Sequence, residues 1–99
     1  MNNTTEILRG LLEKAQVEVD LNLDRGSFET EDTNFYLYAV VACLESVYDL
    51  DITFAKKTSQ DVSHETLDIL PLTEDQKREV AHFILSEMDE QEINNHLYI

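Results

Sequence analysis

The apolar residues of this chain fall into blocks of different period. Ile7, Leu8, Leu11, Leu12 and Ala15 recur at i, i+3 and i+4, the spacing that gathers side chains on one face of an α-helix, and Thr4 or Thr5 can cap its start. Gly10 sits in the middle of that helix and costs about 1 kcal/mol relative to alanine without ending it. Residues 17–23, Val17-Glu18-Val19-Asp20-Leu21-Asn22-Leu23, alternate strictly. The alternation fits a half-buried strand, and it fits equally an extended loop that lays alternate apolar side chains on the core. No second segment between turn signals offers a hairpin partner, so the loop is the preferred reading.

Asp24-Arg25-Gly26-Ser27 is turn-like, and Glu29-Thr30-Glu31-Asp32-Thr33 supplies capping residues and anions for a helix N-terminus. A second helix is expected over residues 34–48. Leu37, Val40, Val41, Leu44, Val47 and Tyr48 would form its apolar face, with Tyr36, Ala39 and Cys43 on a second face free of charge. A helix apolar over most of its circumference is central to a core or covered by a partner. Residues 49–54 would close it and lead to Lys56 and Lys57, and a shorter helix is expected over 62–70. Pro71 breaks the chain. Thr73 and Gln76 then fit a capping box ahead of a final helix whose buried stripe is Val80, Phe83, Ile84 and Met88. The expected architecture is an all-α single domain over 1–99, a small four-helix bundle with an extended loop between helices 1 and 2, the last helix occupying about 73–90.

Composition changes the picture in three ways. Apolar residues at 42% are too many for a disordered acidic tail. Two Gly and one Pro weigh against an all-β fold, whose turns consume such residues. Twenty-one Asp and Glu against seven Lys and Arg give a formal charge of −14. Such a surface repels phosphate backbones and anionic membranes and attracts basic surfaces, although it also serves simple solubility. With one cysteine, no basic leader and no apolar run of membrane-spanning length, the expected setting is cytoplasmic.

Chemistry-bearing constellations are weak. Nothing in the sequence puts a base beside Cys43, which reads as a small core residue. His64, His82 and His96 share no metal spacing. Glu79 and His82 form one Glu-x-x-His, whereas di-iron bundles need two such motifs and two further Glu. The chain is expected not to be an enzyme and to hold no cofactor and no metal.

One resemblance has residues behind it. Val19-Asp20-Leu21-Asn22-Leu23-Asp24-Arg25-Gly26-Ser27-Phe28 resembles the loop before the second helix of acyl and peptidyl carrier proteins. Leu44-Glu45-Ser46-Val47-Tyr48-Asp49-Leu50-Asp51-Ile52 resembles the end of that helix. Together with the first helix and the short third one, the similarity covers about 5–70 and implies a carrier-like helical fold. The phosphopantetheine acceptor Ser of that family has no equivalent: its position falls on Asn34, and an amide cannot form the phosphodiester. Thr33 carries a hydroxyl one residue early.

The functional expectation is an acidic protein-binding module, carrier-like but without the prosthetic arm. The alternative is an acidic inhibitor, such as an immunity protein or nucleic-acid mimic that blocks a basic protein like a nuclease toxin. A functional carrier or a small enzyme is a third class. In either of the first two readings the partner is a protein with a basic surface, with no direct nucleic-acid or membrane contact. The expected contact centres on Tyr36 and Tyr38, flanked by Glu29, Glu31 and Asp32, because carboxylates steer encounter and tyrosines supply buried anchor area.

Overall fold

The computed structural model describes residues 3–44, 47–58 and 67–97. Its element order is α1 (Asn3–Lys14), β1 (Glu18–Asp20), β2 (Arg25–Glu31), β3 (Phe35–Leu44), β4 (Val47–Lys57), β5 (Leu67–Ile69) and α2 (Glu74–Leu97). The five strands form one antiparallel meander in the order β1-β2-β3-β4-β5, and both helices lie on the same side of it. This is a two-layer α+β arrangement and overturns the all-α four-helix bundle. It also removes the acyl-carrier resemblance, because within residues 34–48, expected to be the family's second helix, Phe35–Leu44 is strand β3 and Val47 begins β4. Of the short helix expected over 62–70, residues 67–69 are strand β5, and 62–66 lie outside the described residues.

The reason lies in how β2, β3 and β4 share side chains between two faces. Along β2, Gly26, Phe28 and Thr30 are buried, whereas Arg25, Glu29 and Glu31 are exposed and Ser27 is half-buried, a period of two. Register puts Phe28 opposite Ala39, Thr30 opposite Leu37 and Gly26 opposite Val41, and on the next strand Leu37 opposite Phe54 and Ala39 opposite Ile52. Cross-strand partners share a face, so these residues form the helix-facing side. Strand β3 is central and apolar on both faces, which makes its ten residues read as an uninterrupted apolar run.

The turns are closed by Asp side chains and not by Gly. Asp20 Oδ1 accepts from the backbone N–H of Asn22 (3.1 Å) and Leu23 (3.3 Å), and Asp24 takes a positive φ of 49°. Asp32 Oδ1 accepts from the N–H of Asn34 (2.8 Å) and Phe35 (2.7 Å), while the Asp32 N–H donates to the Phe35 carbonyl (3.0 Å). These Asx turns close tight hairpins without glycine. Residues 17–23 also depart from the extended-loop reading. Glu18–Asp20 pairs with β2, Val17 and Val19 pack on the core, and Leu21 and Leu23 are exposed in the turn.

Both helices bury one stripe against the sheet. Leu8, Leu11 and Leu12 of α1 meet Val80, Ile84 and Met88 of α2 over Phe28, Leu37, Val41 and Phe54. The Phe28 and Phe83 rings meet edge to face at 5.8 Å, and Phe35 stacks on Phe54 at 5.7 Å. Helix α2 opens on a reciprocal capping box. The Gln76 N–H donates to Thr73 Oγ1 (3.2 Å), and the Thr73 N–H donates to Gln76 Oε1 (2.9 Å). The buried Gln76 amide also donates to Thr5 Oγ1 (3.3 Å), and Arg9 Nε donates to Glu79 Oε1 (2.7 Å), so the helices run side by side in the same direction. Close approach is built in at Gly26, where an added Cβ would lie 2.7 Å from Ile84 Cγ2 and 2.9 Å from Met88 Cγ and Sδ. Among the described residues, no helix is long and apolar enough to cross a membrane.

Candidate functional site

With both helices on one side, the other face of the sheet carries, among the described residues, no helix. Its side chains follow from register. The central strand contributes Tyr36, Tyr38, Val40 and Ala42. Opposite them on β2 stand Glu31, Glu29, Ser27 and Arg25, and on β4 stand Ala55, Thr53, Asp51 and Asp49. Strand β1 adds Glu18 opposite Ser27 and Asp20 opposite Arg25. The result is a half-buried aromatic and aliphatic strip on β3, with Glu31 and Glu29 beside the tyrosines on β2 and Asp51 and Asp49 beside Val40 and Ala42 on β4. Neighbouring strands lie about 4.8 Å apart, so the β2 and β4 rows are about 10 Å from each other.

Four of the five residues expected at the contact, Tyr36, Tyr38, Glu29 and Glu31, share this face. Tyr36 donates its hydroxyl to Glu29 Oε2 at 2.7 Å. Burial raises the Tyr36 phenol to about 12, with the hydrogen bond to Glu29 and the charges of Glu29 and Glu31 acting in the same direction. Glu31 Oε2 pairs with Lys57 Nζ at 2.7 Å. Asp32 is different. Its carboxylate is spent on the β2–β3 turn, so it shapes the end of the face and does not join the rows. Asn34 lies exposed in the same turn, where its carbonyl accepts from the Lys57 N–H (2.8 Å). It heads no helix, and the correspondence with a carrier acceptor position has no structural counterpart.

Four carboxylates of the face were not anticipated: Glu18, Asp20, Asp49 and Asp51. The signal was present for the last two, since Tyr48-Asp49-Leu50-Asp51-Ile52-Thr53-Phe54 alternates apolar and polar over its whole length. Near the β1 edge, Gln16, Glu18, Ser27, Glu29 and Tyr38 border an open hollow of about 370 Å³.

Elsewhere the chemistry is sparse. Cys43 lies on the helix side of β3, half-buried. Its thiol is pushed up by burial and by the charges of Asp24 and Asp89, the opposite of what a nucleophile requires. Among the described residues no group of three or more His, Cys, Asp or Glu side chains is arranged to hold a metal ion. Comparison with protein-family models, with curated proteins and with solved structures finds no match.

Proposed function

We propose that this chain is an acidic protein-binding module that docks the open face of its sheet on a basic surface of a partner protein. The observation that carries the reading is the juxtaposition on one face of Tyr36, Tyr38 and Val40 with the flanking carboxylates Glu29, Glu31, Asp49 and Asp51. An aromatic strip gives area that gains from desolvation, and the carboxylate rows select Lys and Arg around it and speed the encounter. A formal charge of −14 extends the attraction beyond the contact itself.

The alternative is a particular kind of partner: a protein whose basic surface is itself a nucleic-acid groove, so that docking blocks that groove. Carboxylates on both strands beside β3, Glu29 and Glu31 on β2 and Asp49 and Asp51 on β4, favour it, because such a groove offers rows of cations to phosphates.

Surface plasmon resonance with the partner recovered from the native cell tests the main reading. Reversing Glu29, Asp49 and Asp51 to Lys should slow association and flatten its dependence on salt, whereas Tyr38→Ala should mainly speed dissociation. Unchanged kinetics in both variants, with folding retained, would sink it. Competition by duplex DNA for the partner supports the groove-blocking form, and its absence leaves the docking reading without it.

A further inference from the structure

Strand β4 is eleven residues long, but β5 covers only its last part, Ala55 to Lys57, and the Leu70 N–H extends the pairing to the Phe54 carbonyl (2.8 Å). From Val47 to Thr53, β4 pairs with β3 on one side and, among the described residues, with no strand on the other. Backbone groups of an antiparallel strand point alternately to its two neighbours. Because Phe54 bonds towards β5, Tyr48, Leu50 and Ile52 aim their N–H and C=O groups off this uncovered edge. At the end where β5 leaves the sheet, Ile52, Phe54, Ile69, Leu70 and Leu72, with Lys77 at the margin, line an open, mostly apolar cleft of about 250 Å³.

We propose that this edge accepts an extended segment of the partner as a sixth strand, and that the segment alternates basic and apolar residues. The proposal rests on the basic-partner reading and adds the element by which the partner is held. Backbone pairing supplies affinity, and alternate side chains supply selectivity. On the open face, Asp49 and Asp51 meet the incoming strand's basic residues. On the helix side, Leu50, Ile52 and the cleft take its apolar ones. A second copy of this chain does not fit, because self-pairing antiparallel about Leu50 would set Asp49 of one copy against Asp51 of the other, and like charges directly opposite destabilise a ladder. Unprotected edges of this kind are also where sheets recruit strands.

Amide hydrogen exchange on the full chain tests the proposal, with a capped synthetic peptide of alternating Lys and Val as the probe and the corresponding Glu and Val peptide as control. At a peptide concentration about 100 times Kd, exchange of the Tyr48, Leu50 and Ile52 amides should slow about 100-fold. Leu50→Pro should abolish that slowing, since it removes a donor aimed off the sheet and takes no bond from β3. If that variant fails to fold, Ile52→Lys leaves the ladder intact and replaces the apolar side chain that the incoming strand's apolar residue would meet with a charged one, and it should also prevent binding. No binding of the Lys/Val peptide overturns the proposal, as does self-association through β4 in sedimentation. A Lys/Val peptide that shifts the Tyr36 and Tyr38 ring resonances while the three amides exchange as before overturns the edge and leaves the face reading standing. Equal protection by the Glu/Val peptide overturns the charge selection here and the basic-partner reading with it.

Discussion

Two glycines show how far the effect of one residue depends on its surroundings. Gly10 is mid-helix and exposed, and an added Cβ there meets nothing within 4 Å. Gly10→Ala should therefore raise stability by about 0.5–1 kcal/mol, as the entropic penalty of glycine in a helix is removed. Gly26 is the reverse case, with the Ile84 methyl 2.7 Å from an added Cβ and the branched Ile84 unable to swing clear inside the core. Gly26→Ala should cost about 1–3 kcal/mol, the range for overpacking. Urea melts of both variants check the pair, and equal effects would mean that α2 does not sit on β2 as described. Tyr36 offers a spectroscopic handle at the same scale. The fold favours its neutral phenol, so its contribution is complete below the ordinary tyrosine value near 10 and is lost as pH climbs from there to about 12. Ultraviolet titration should show one phenolate appearing late, and Tyr36→Phe should delete that late step.

The two helices were legible in the sequence because each carries its own start signal and one unbroken stripe of period 3.6. Thr73→Ala tests the clearest of these signals. Loss of the hydroxyl that accepts from Gln76 should cost about 1 kcal/mol in a thermal melt, and Thr73→Ser should restore most of it. The sheet was hidden for two physical reasons. Strand β3 is covered by helices on one face and bordered by neighbouring side chains on the other, so Phe35 to Leu44 shows no alternation by which to tell a central strand from a buried helix. Glycine scarcity then misled, because Asp20 and Asp32 make turns with their carboxylates and Asp24 tolerates the left-handed backbone. The β-branched and aromatic content of residues 35–41 and the alternation of 48–54 were the signals that outweigh a low glycine count. Half of the candidate face was legible for a related reason. Tyr36 and Tyr38 were expected on a helix, yet lying two apart they share a face of the strand as well, whereas Asp49 and Asp51 on β4 are joined to that face only by register.

Across the whole molecule, the charge of −14 is uneven in its consequences. The ion pairs Arg9–Glu79 and Lys57–Glu31 tie elements together, but most carboxylates have no cation to oppose them. Raising salt from low to moderate concentration should therefore raise the melting temperature, as screening over about 10 Å at 0.1 M relieves repulsion faster than it weakens a few pairs. A steady fall in melting temperature would show that the specific pairs dominate. The meander has a kinetic consequence. Every strand pairs with its neighbour in the chain, so the sheet can assemble through short loop closures, whereas the joining of α1 to α2 spans the 70 residues between Arg9 and Glu79. The contact of α1 with α2 is thus the topologically distant one, whereas α1 meets the sheet close by in sequence, at β2. During synthesis the sheet can form while α2 is still within the ribosome, with the part of its helix-facing apolar side that α2 covers still exposed. In that interval the net negative charge opposes the approach of one nascent chain to another, so repulsion that costs the folded domain stability works against aggregation of the unfinished one.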